Sequence, residues 1–223
     1  MIKIGVPSKG RLMEQTFDWF GQRGLTMRRT GAEREYSGAV EGMAGVKLVL
    51  LAASEVPREL AAGRIDLGVT GTDLVREDLA DWATLVEEVA PLGFGRADLV
   101  IAVPSVWVDV DTLDDLDAAA AAFRVAHGFR LRIATKYHRM VRDFLTENGV
   151  ADYQLVDSLG ATEGTVKNGT AEAIADITSS GETLRANHLK ILSDGLILQS
   201  QAVLFRARAS GAELGPLLAR LGF

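Results

Sequence analysis

Three short stretches of this sequence join an apolar run to a turn whose side chains suit an anion. The fullest is Glu172-Ala-Ile-Ala-Asp176-Ile-Thr178-Ser179-Ser180-Gly181-Glu182-Thr183-Leu184, which sets carboxylates on and beside the run and closes on hydroxyls around a glycine. Glycine admits close backbone approach, amides and hydroxyls donate, and a carboxylate earlier on the strand accepts from sugar hydroxyls, so such a turn can wrap a phosphate. The same residue types also make an ordinary chain reversal, and the pattern alone names no sugar. In Pro7-Ser8-Lys9-Gly10-Arg11-Leu12 two cations flank a glycine. Lys9 would act as a point charge and Arg11 as a fork able to grip two phosphate oxygens; a solvated helix start gives the same spacing. Thr70-Gly71-Thr72-Asp73 fits either ligand contact or a helix N-cap by Thr72 or Asp73.

The elements that must carry these turns repeat one plan. A buried strand over 2–6, a polar turn and a helix over 13–22 ended by Gly24 return as a strand over 132–134, a turn over 135–138 and a helix over 140–147 stopped at Asn148-Gly149. A second echo sets Gly63-Arg64-Ile65-Asp66, a strand and Thr70-Gly71-Thr72-Asp73 beside Gly169-Thr170-Ala171-Glu172, a strand and Ser180-Gly181-Glu182-Thr183. This is weak internal duplication, not a solenoid. Helices alternating with buried strands over 46–51, 67–69, 99–103 and 174–177 predict an α/β fold whose sheets are mainly parallel. The run Pro91-Leu-Gly-Phe-Gly-Arg96 breaks the pattern, and strands over 190–192 and 196–205 return the chain to the first half. The expected organisation is lobe I over 1–92 and 188–223, lobe II over 93–187, and a binding cleft between them.

Composition narrows the function. The chain of 223 residues is 48% hydrophobic and 24% charged, the balance of a globular protein. With no Cys, a disulfide framework, a thiolate metal site and a thiol nucleophile are excluded. A net charge of −6 and a pI of about 5.2 argue against a nucleic-acid surface, so cations for a polyanionic ligand must be local. They cluster at Arg28, Arg29 and Arg34, and again at Arg130, Arg132, Lys136, His138, Arg139 and Arg142. The acidic run Asp109, Asp111, Asp114, Asp115 and Asp117 reads as a solvated loop and helix start. No signal peptide and no apolar run of membrane-spanning length is evident. His127, His138 and His188 form no metal-ligand spacing, and neither a nucleophile elbow nor a Walker loop is present.

Five segments, in order over nearly the whole chain, resemble the ATP phosphoribosyltransferase family: Ile4-Gly-Val-Pro-Ser-Lys-Gly-Arg-Leu12, Asp66-Leu-Gly-Val-Thr-Gly71, Arg132-Ile-Ala-Thr-Lys-Tyr137, Gly160-Ala-Thr-Glu163-Gly164 and Asp176-Ile-Thr-Ser-Ser-Gly-Glu-Thr-Leu-Arg-Ala-Asn187. The resemblance implies a two-lobed fold like that of periplasmic binding proteins and a cytoplasmic location. It also implies a Mg²⁺-dependent transfer from phosphoribosyl pyrophosphate to N1 of ATP, the first step of histidine biosynthesis. Carried over, Thr178, Ser179, Ser180, Gly181, Glu182 and Thr183 would hold the 5′-phosphate of the sugar donor, with Glu172 and Asp176 near the ribose hydroxyls. Glu163 would line the same cleft. Lys9, Gly10, Arg11, Gly71 and Asp73 would face the nucleotide or pyrophosphate, and Lys136 and Tyr137 would close the site. No covalent intermediate or general base is implied, with Lys9, Arg11 and Glu163 acting by charge and position, and Mg²⁺ sitting on substrate oxygens.

Two positions depart from the family pattern. Many members carry an arginine where this chain reads Ala52-Ala53-Ser54, and Arg11, Arg29 or Arg34 would have to replace it; His188 stands where the family often has glycine. The length resembles short members that lack a C-terminal histidine-sensing domain. Those work in a mixed oligomer with a regulatory subunit similar to histidyl-tRNA synthetase, so histidine is not expected to inhibit the isolated chain. The alternative is a small-anion binding module of the same fold without turnover.

Overall fold

The computed structural model describes residues 1–29, 37–158 and 160–223, so Arg34 lies outside the described residues. The chain divides into two compact units, Met1–Arg96 with Gln201–Phe223, and Ala97–Ser200.

In the first unit the order is β1 (Ile2–Pro7), α1 (Gly10–Gly21), β2 (Thr26–Arg29), β3 (Ser37–Glu41), β4 (Val46–Leu51), α2 (Val56–Ala61), β5 (Leu67–Gly71), α3 (Thr72–Asp78), α4 (Trp82–Leu85) and β6 (Val86–Pro91). The second unit holds β7 (Ala97–Pro104), α5 (Leu113–His127), β8 (Leu131–Thr135), α6 (His138–Glu147), β9 (Tyr153–Asp157), α7 (Gly164–Lys167), β10 (Ala173–Thr178), α8 (Glu182–Ala186) and β11 (Leu189–Ser200). The chain then re-enters the first unit with β12 (Ala202–Ala207) and α9 (Gly215–Leu221).

The first sheet has seven strands in the order β2-β3-β4-β1-β5-β12-β6, and the second has five, β11-β7-β10-β8-β9. Both are mixed, which corrects the mainly parallel expectation. Parallel pairing is confined to β4-β1-β5 and β10-β8-β9. The flanks are antiparallel because hairpins and returning strands close them. The return expected at residue 188 lies later, after Ser200, because β11 pairs along β7 from Leu189↔Pro104 to Ser200↔Ala97. The two strands expected over 190–205 are accordingly one bulged strand and then β12.

Local rules explain the helices that bear on function. α1 buries Thr16, Trp19 and Phe20 at helical spacing. It stops where Gly24 takes φ 76° and Leu25 N–H reaches back to Phe20 O at 3.1 Å. α5 starts on a capping box: Thr112 Oγ1 accepts from Asp115 N, and Asp115 Oδ2 accepts from Thr112 N at 2.9 Å. The acidic run therefore serves partly as a helix start. The central strands supply the cores, with Ile4, Leu48, Leu67 and Leu204 in one and Val100, Ala134 and Ile174 in another. Among the described residues no helix is long and apolar enough to cross a membrane.

Candidate active site

The register of the second sheet decides which residues meet. Ala175 pairs with Thr135, and Thr135 with Asp157, so the C-terminal edges of β10, β8 and β9 coincide. Everything that follows these strands gathers at that edge: Asp176 to Thr183, Lys136, and the loop that leads to Glu163. A pocket of about 320 Å³ opens there, lined by Ala97, Glu163, Asp176, Ile177, Thr178, Ser179, Ser180, Thr183 and Leu184. Two carboxylates and four hydroxyls thus face one concavity, with Ala97, Ile177 and Leu184 as apolar wall. Ile177 and Leu184 lie within the stretch singled out in the sequence, whereas Ala97, which starts β7, was not.

The turn is shaped from within. Thr178 Oγ1 accepts the N–H of Gly181 at 2.8 Å, which leaves the threonine's own proton to donate elsewhere. Ser180 Oγ accepts more weakly from Glu182 N at 3.4 Å. Gly181 sits at φ 69°, a left-handed conformation that glycine adopts without a Cβ clash, and α8 starts directly after it. Asp176 Oδ1 accepts from Ile177 N at 2.9 Å, which restrains the carboxylate. Gly181 and Glu182 help form the turn but do not line the pocket.

Glu172 does not line this pocket. It lies just before β10, at the end away from the turn, about 13 Å from Asp176 at ~3.3 Å per residue. There it accepts from Arg132 through the side chain, at 3.2 Å from Nε and 2.6 Å from Nη2, and from the Arg132 backbone N at 2.8 Å. Arg132 Nη2 also donates to Gly169 O at 2.9 Å. Burial pushes the Glu172 carboxyl up, but the Arg132 hydrogen bonds and charge outweigh it and hold the group below the ordinary carboxylate range. This pair staples β8 to β10 and does not touch the pocket.

Lys136 and Tyr137 are not pocket-lining either. Tyr137 is 5% exposed, its ring enclosed where α6 begins, so it presents no open face to a ligand. Lys136 Nζ donates to Gly160 O at 2.8 Å, and Ser158 Oγ donates to Thr162 Oγ1 at 2.9 Å. These bonds tether the loop that delivers Glu163.

In the first unit, Pro7 pairs with Leu51 and Gly5 with Gly68 in parallel register. Lys9, Gly10 and Arg11, residues 52–54, and Gly71 to Asp73 therefore share one sheet edge. Lys9, Gly10 and Arg11 are exposed, and Gly10 takes φ 76°. Asp73 is 6% exposed at the start of α3. In the arginine-less segment, Ala52 N donates to Glu55 Oε2 at 2.7 Å. Arg29 reaches toward α1, its Nη2 3.3 Å from Met13 Sδ.

The family model described as HisG, ATP phosphoribosyltransferase, matches residues 52–221, most of the chain. The chain belongs to the ATP phosphoribosyltransferase family. An ATP phosphoribosyltransferase of Cereibacter sphaeroides is 78% identical over 222 residues, covering 99% of this chain and 94% of the relative. One from Mesorhizobium japonicum is 52% identical over 217 residues, covering 96% and 94%. Among solved structures, the ATP phosphoribosyl transferase (HisG:HisZ) complex from Thermotoga maritima superposes with a TM-score of 0.74 at 21% identity, covering 100% of this chain and 97% of that one. A mutant of the T. maritima protein ArgBP aligns at a TM-score of 0.52 and 14% identity, covering 99% and 85%. The fold is thus shared with the family and with binding proteins.

Proposed function

We propose that this chain transfers the phosphoribosyl group of phosphoribosyl pyrophosphate to N1 of ATP. The N1–C1′ bond forms as the bond from C1′ to the pyrophosphate oxygen breaks, giving phosphoribosyl-ATP and pyrophosphate. The observation that carries this reading is the pocket at the end of β10. Its hydroxyl turn suits a sugar 5′-phosphate, and its two carboxylates suit ribose hydroxyls and a developing positive charge. Family membership names the acceptor.

Residue roles follow from the chemistry. Thr178, Ser179, Ser180 and Thr183 hold the phosphate by hydroxyls, on the turn folded by Gly181 and Glu182. Asp176 accepts from the ribose hydroxyls, and Glu163 with it favours the cationic sugar of the transition state. Lys9, Gly10 and Arg11, with Gly71 and Asp73, take the polyphosphate or pyrophosphate, and Arg29 is the candidate for the charge missing at residues 52–54. No group has to form a covalent bond to substrate, because adenine N1 is a nucleophile and pyrophosphate a good leaving group. Holding the reactants in line removes about 7–11 kcal/mol of barrier.

Asp176 and Glu163 are hard oxygen donors in one pocket, and among the described residues no group of three His, Cys, Asp or Glu could hold a metal. That donor set fits Mg²⁺ held by one or two carboxylates and by substrate phosphates. When bound, Mg²⁺ would neutralise the departing pyrophosphate. A regulatory subunit similar to histidyl-tRNA synthetase is the proposed partner, supported by the HisG:HisZ complex of the T. maritima relative, and the cytoplasm is the proposed location.

The test is near-ultraviolet absorbance of the purified chain with ATP, phosphoribosyl pyrophosphate, Mg²⁺ and pyrophosphatase, since N1-alkylated adenine absorbs differently from ATP. Product formation is expected. Absence of product with the regulatory subunit added, while sugar phosphate still binds, would refute the transferase reading and leave a binding module.

A further inference from the structure

The described residues lining the pocket include Glu163 and Asp176 but neither lysine nor arginine. Hydroxyls and amides can hold a dianionic phosphate, but the two carboxylates repel it, and a cation beside the turn would make the hold charge-assisted. Arg185, on α8 just past the turn, is placed to supply the charge. Its Nη1 donates to Ser180 O at 3.1 Å, and its backbone N–H donates to Gly181 O at 3.0 Å. A Cβ built on Gly181 would lie 3.0 Å from Arg185 Nη1 and 4.0 Å from its Cζ, so the guanidinium rests against the buried glycine around which the turn folds. Arg185 is exposed. One of the five guanidinium N–H donors is used on Ser180, and the side chain is otherwise an exposed planar cation beside the turn.

We propose that Arg185 is the anion-selecting residue of this pocket. It fixes the Ser180 peptide, and it gives the turn the positive charge that makes a sugar 5′-phosphate bind in preference to an uncharged sugar. The inference rests on the phosphoribosyl reading of the pocket and extends it to a residue outside the pocket lining. Two functions are combined in one side chain, a hydrogen bond to a carbonyl and a charge, and substitution separates them. Lysine keeps the charge. Glutamine keeps a donor for Ser180 O and loses the charge.

Isothermal titration of the full chain with ribose 5-phosphate and with ribose, for wild type, Arg185→Lys and Arg185→Gln, tests the idea without requiring turnover. Steady-state KM values for phosphoribosyl pyrophosphate and ATP accompany it. The charge-assisted contribution predicts a loss of about 10- to 100-fold in ribose 5-phosphate affinity for Arg185→Gln. The KM for phosphoribosyl pyrophosphate should rise in parallel, with the KM for ATP unchanged. Arg185→Lys should retain affinity within about 3-fold, a loss of less than one tenfold step. Arg185→Gln binding ribose 5-phosphate as wild type does would overturn the proposal. So would equal weakening in both variants with a lowered melting temperature, which would reduce Arg185 to a clasp on the turn. If wild type binds neither ligand, the phosphoribosyl reading of the pocket itself fails, and Arg185 loses its assigned role with it.

Discussion

Replacing Glu172 with glutamine separates a ribose contact from a structural staple, because the two roles predict opposite results. The carboxylate receives three hydrogen bonds from Arg132, at 2.6, 2.8 and 3.2 Å, and its side chain is 15% exposed. Glutamine keeps one acceptor oxygen and turns an NH₂ group toward the guanidinium, so one charge-assisted bond is lost and two donors face each other. Hydrogen bonds to charged groups contribute about 1.5–3 kcal/mol, which sets the expected loss of stability. At roughly 2–4 °C per kcal/mol for a chain of this size, the melting temperature should fall by about 3–12 °C. The pH dependence has a definite sign. Glu172 is depressed in the folded state, so its contribution is complete above the unfolded value of about 4.3 and is lost as pH falls through the folded value. The gap between wild type and Glu172→Gln should therefore be constant near neutrality and shrink below about pH 4. Thermal melts across that range, with the KM for phosphoribosyl pyrophosphate at pH 7, make the test. A raised KM with an unchanged melting temperature would refute the staple and restore Glu172 to the ribose site.

Three further substitutions probe the turn and its supports. Thr178→Val keeps shape but removes the acceptor for Gly181 N and a pocket hydroxyl. An unsatisfied donor costs about 1–3 kcal/mol, so both the melting temperature and phosphoribosyl pyrophosphate affinity should drop, while ATP affinity holds. Lys136→Met removes the bond to Gly160 O and loosens the loop before Glu163, which should lower kcat several-fold in steady-state assays and leave the melting temperature almost unchanged. His188 is the non-glycine residue with positive φ, 57°, among the described residues. His188→Gly should relieve that strain and raise stability by about 0.5–1 kcal/mol, read by urea denaturation, since the left-handed conformation costs other residues roughly 1–2 kcal/mol and glycine repays part of it in chain entropy.

What the sequence could and could not disclose follows from the range of each interaction. The strand over 46–51 was legible to its ends because its apolar run is bounded by Gly45 and the polar step after Ala53. The hydroxyl turn was legible because all its determinants lie within a few residues. Sheet polarity was not: β7 and β12 join their neighbours antiparallel through partners far along the chain, and no local pattern announces that. The stretch over 193–195, ending in Gly195, lay between two expected strands. The structure keeps the strand running, because a Cβ there would lie 3.2 Å from Ile101 Cβ and its O, so only glycine lets β11 press against β7.

The place of Glu172 turns on a related distinction. A period of two assigns it to the same face of the strand as Asp176, and face is what alternation encodes. A binding site at the C-terminal edge of a sheet depends also on which end of the strand a residue occupies. Four residues, at ~3.3 Å each, carry a side chain farther than a ribose ring can span, so a carboxylate just before the strand is available for fastening strands together. Asp66 shows the same division in the other unit. It precedes β5, accepts from Lys3 N at 2.7 Å and from Ser210 Oγ at 2.6 Å, and ties strands, whereas Gly71 and Asp73 at the far end of β5 stand at the edge where ligands are expected. In both units of the duplicated plan an acidic residue before a strand holds the sheet, and a turn follows that strand at its far end.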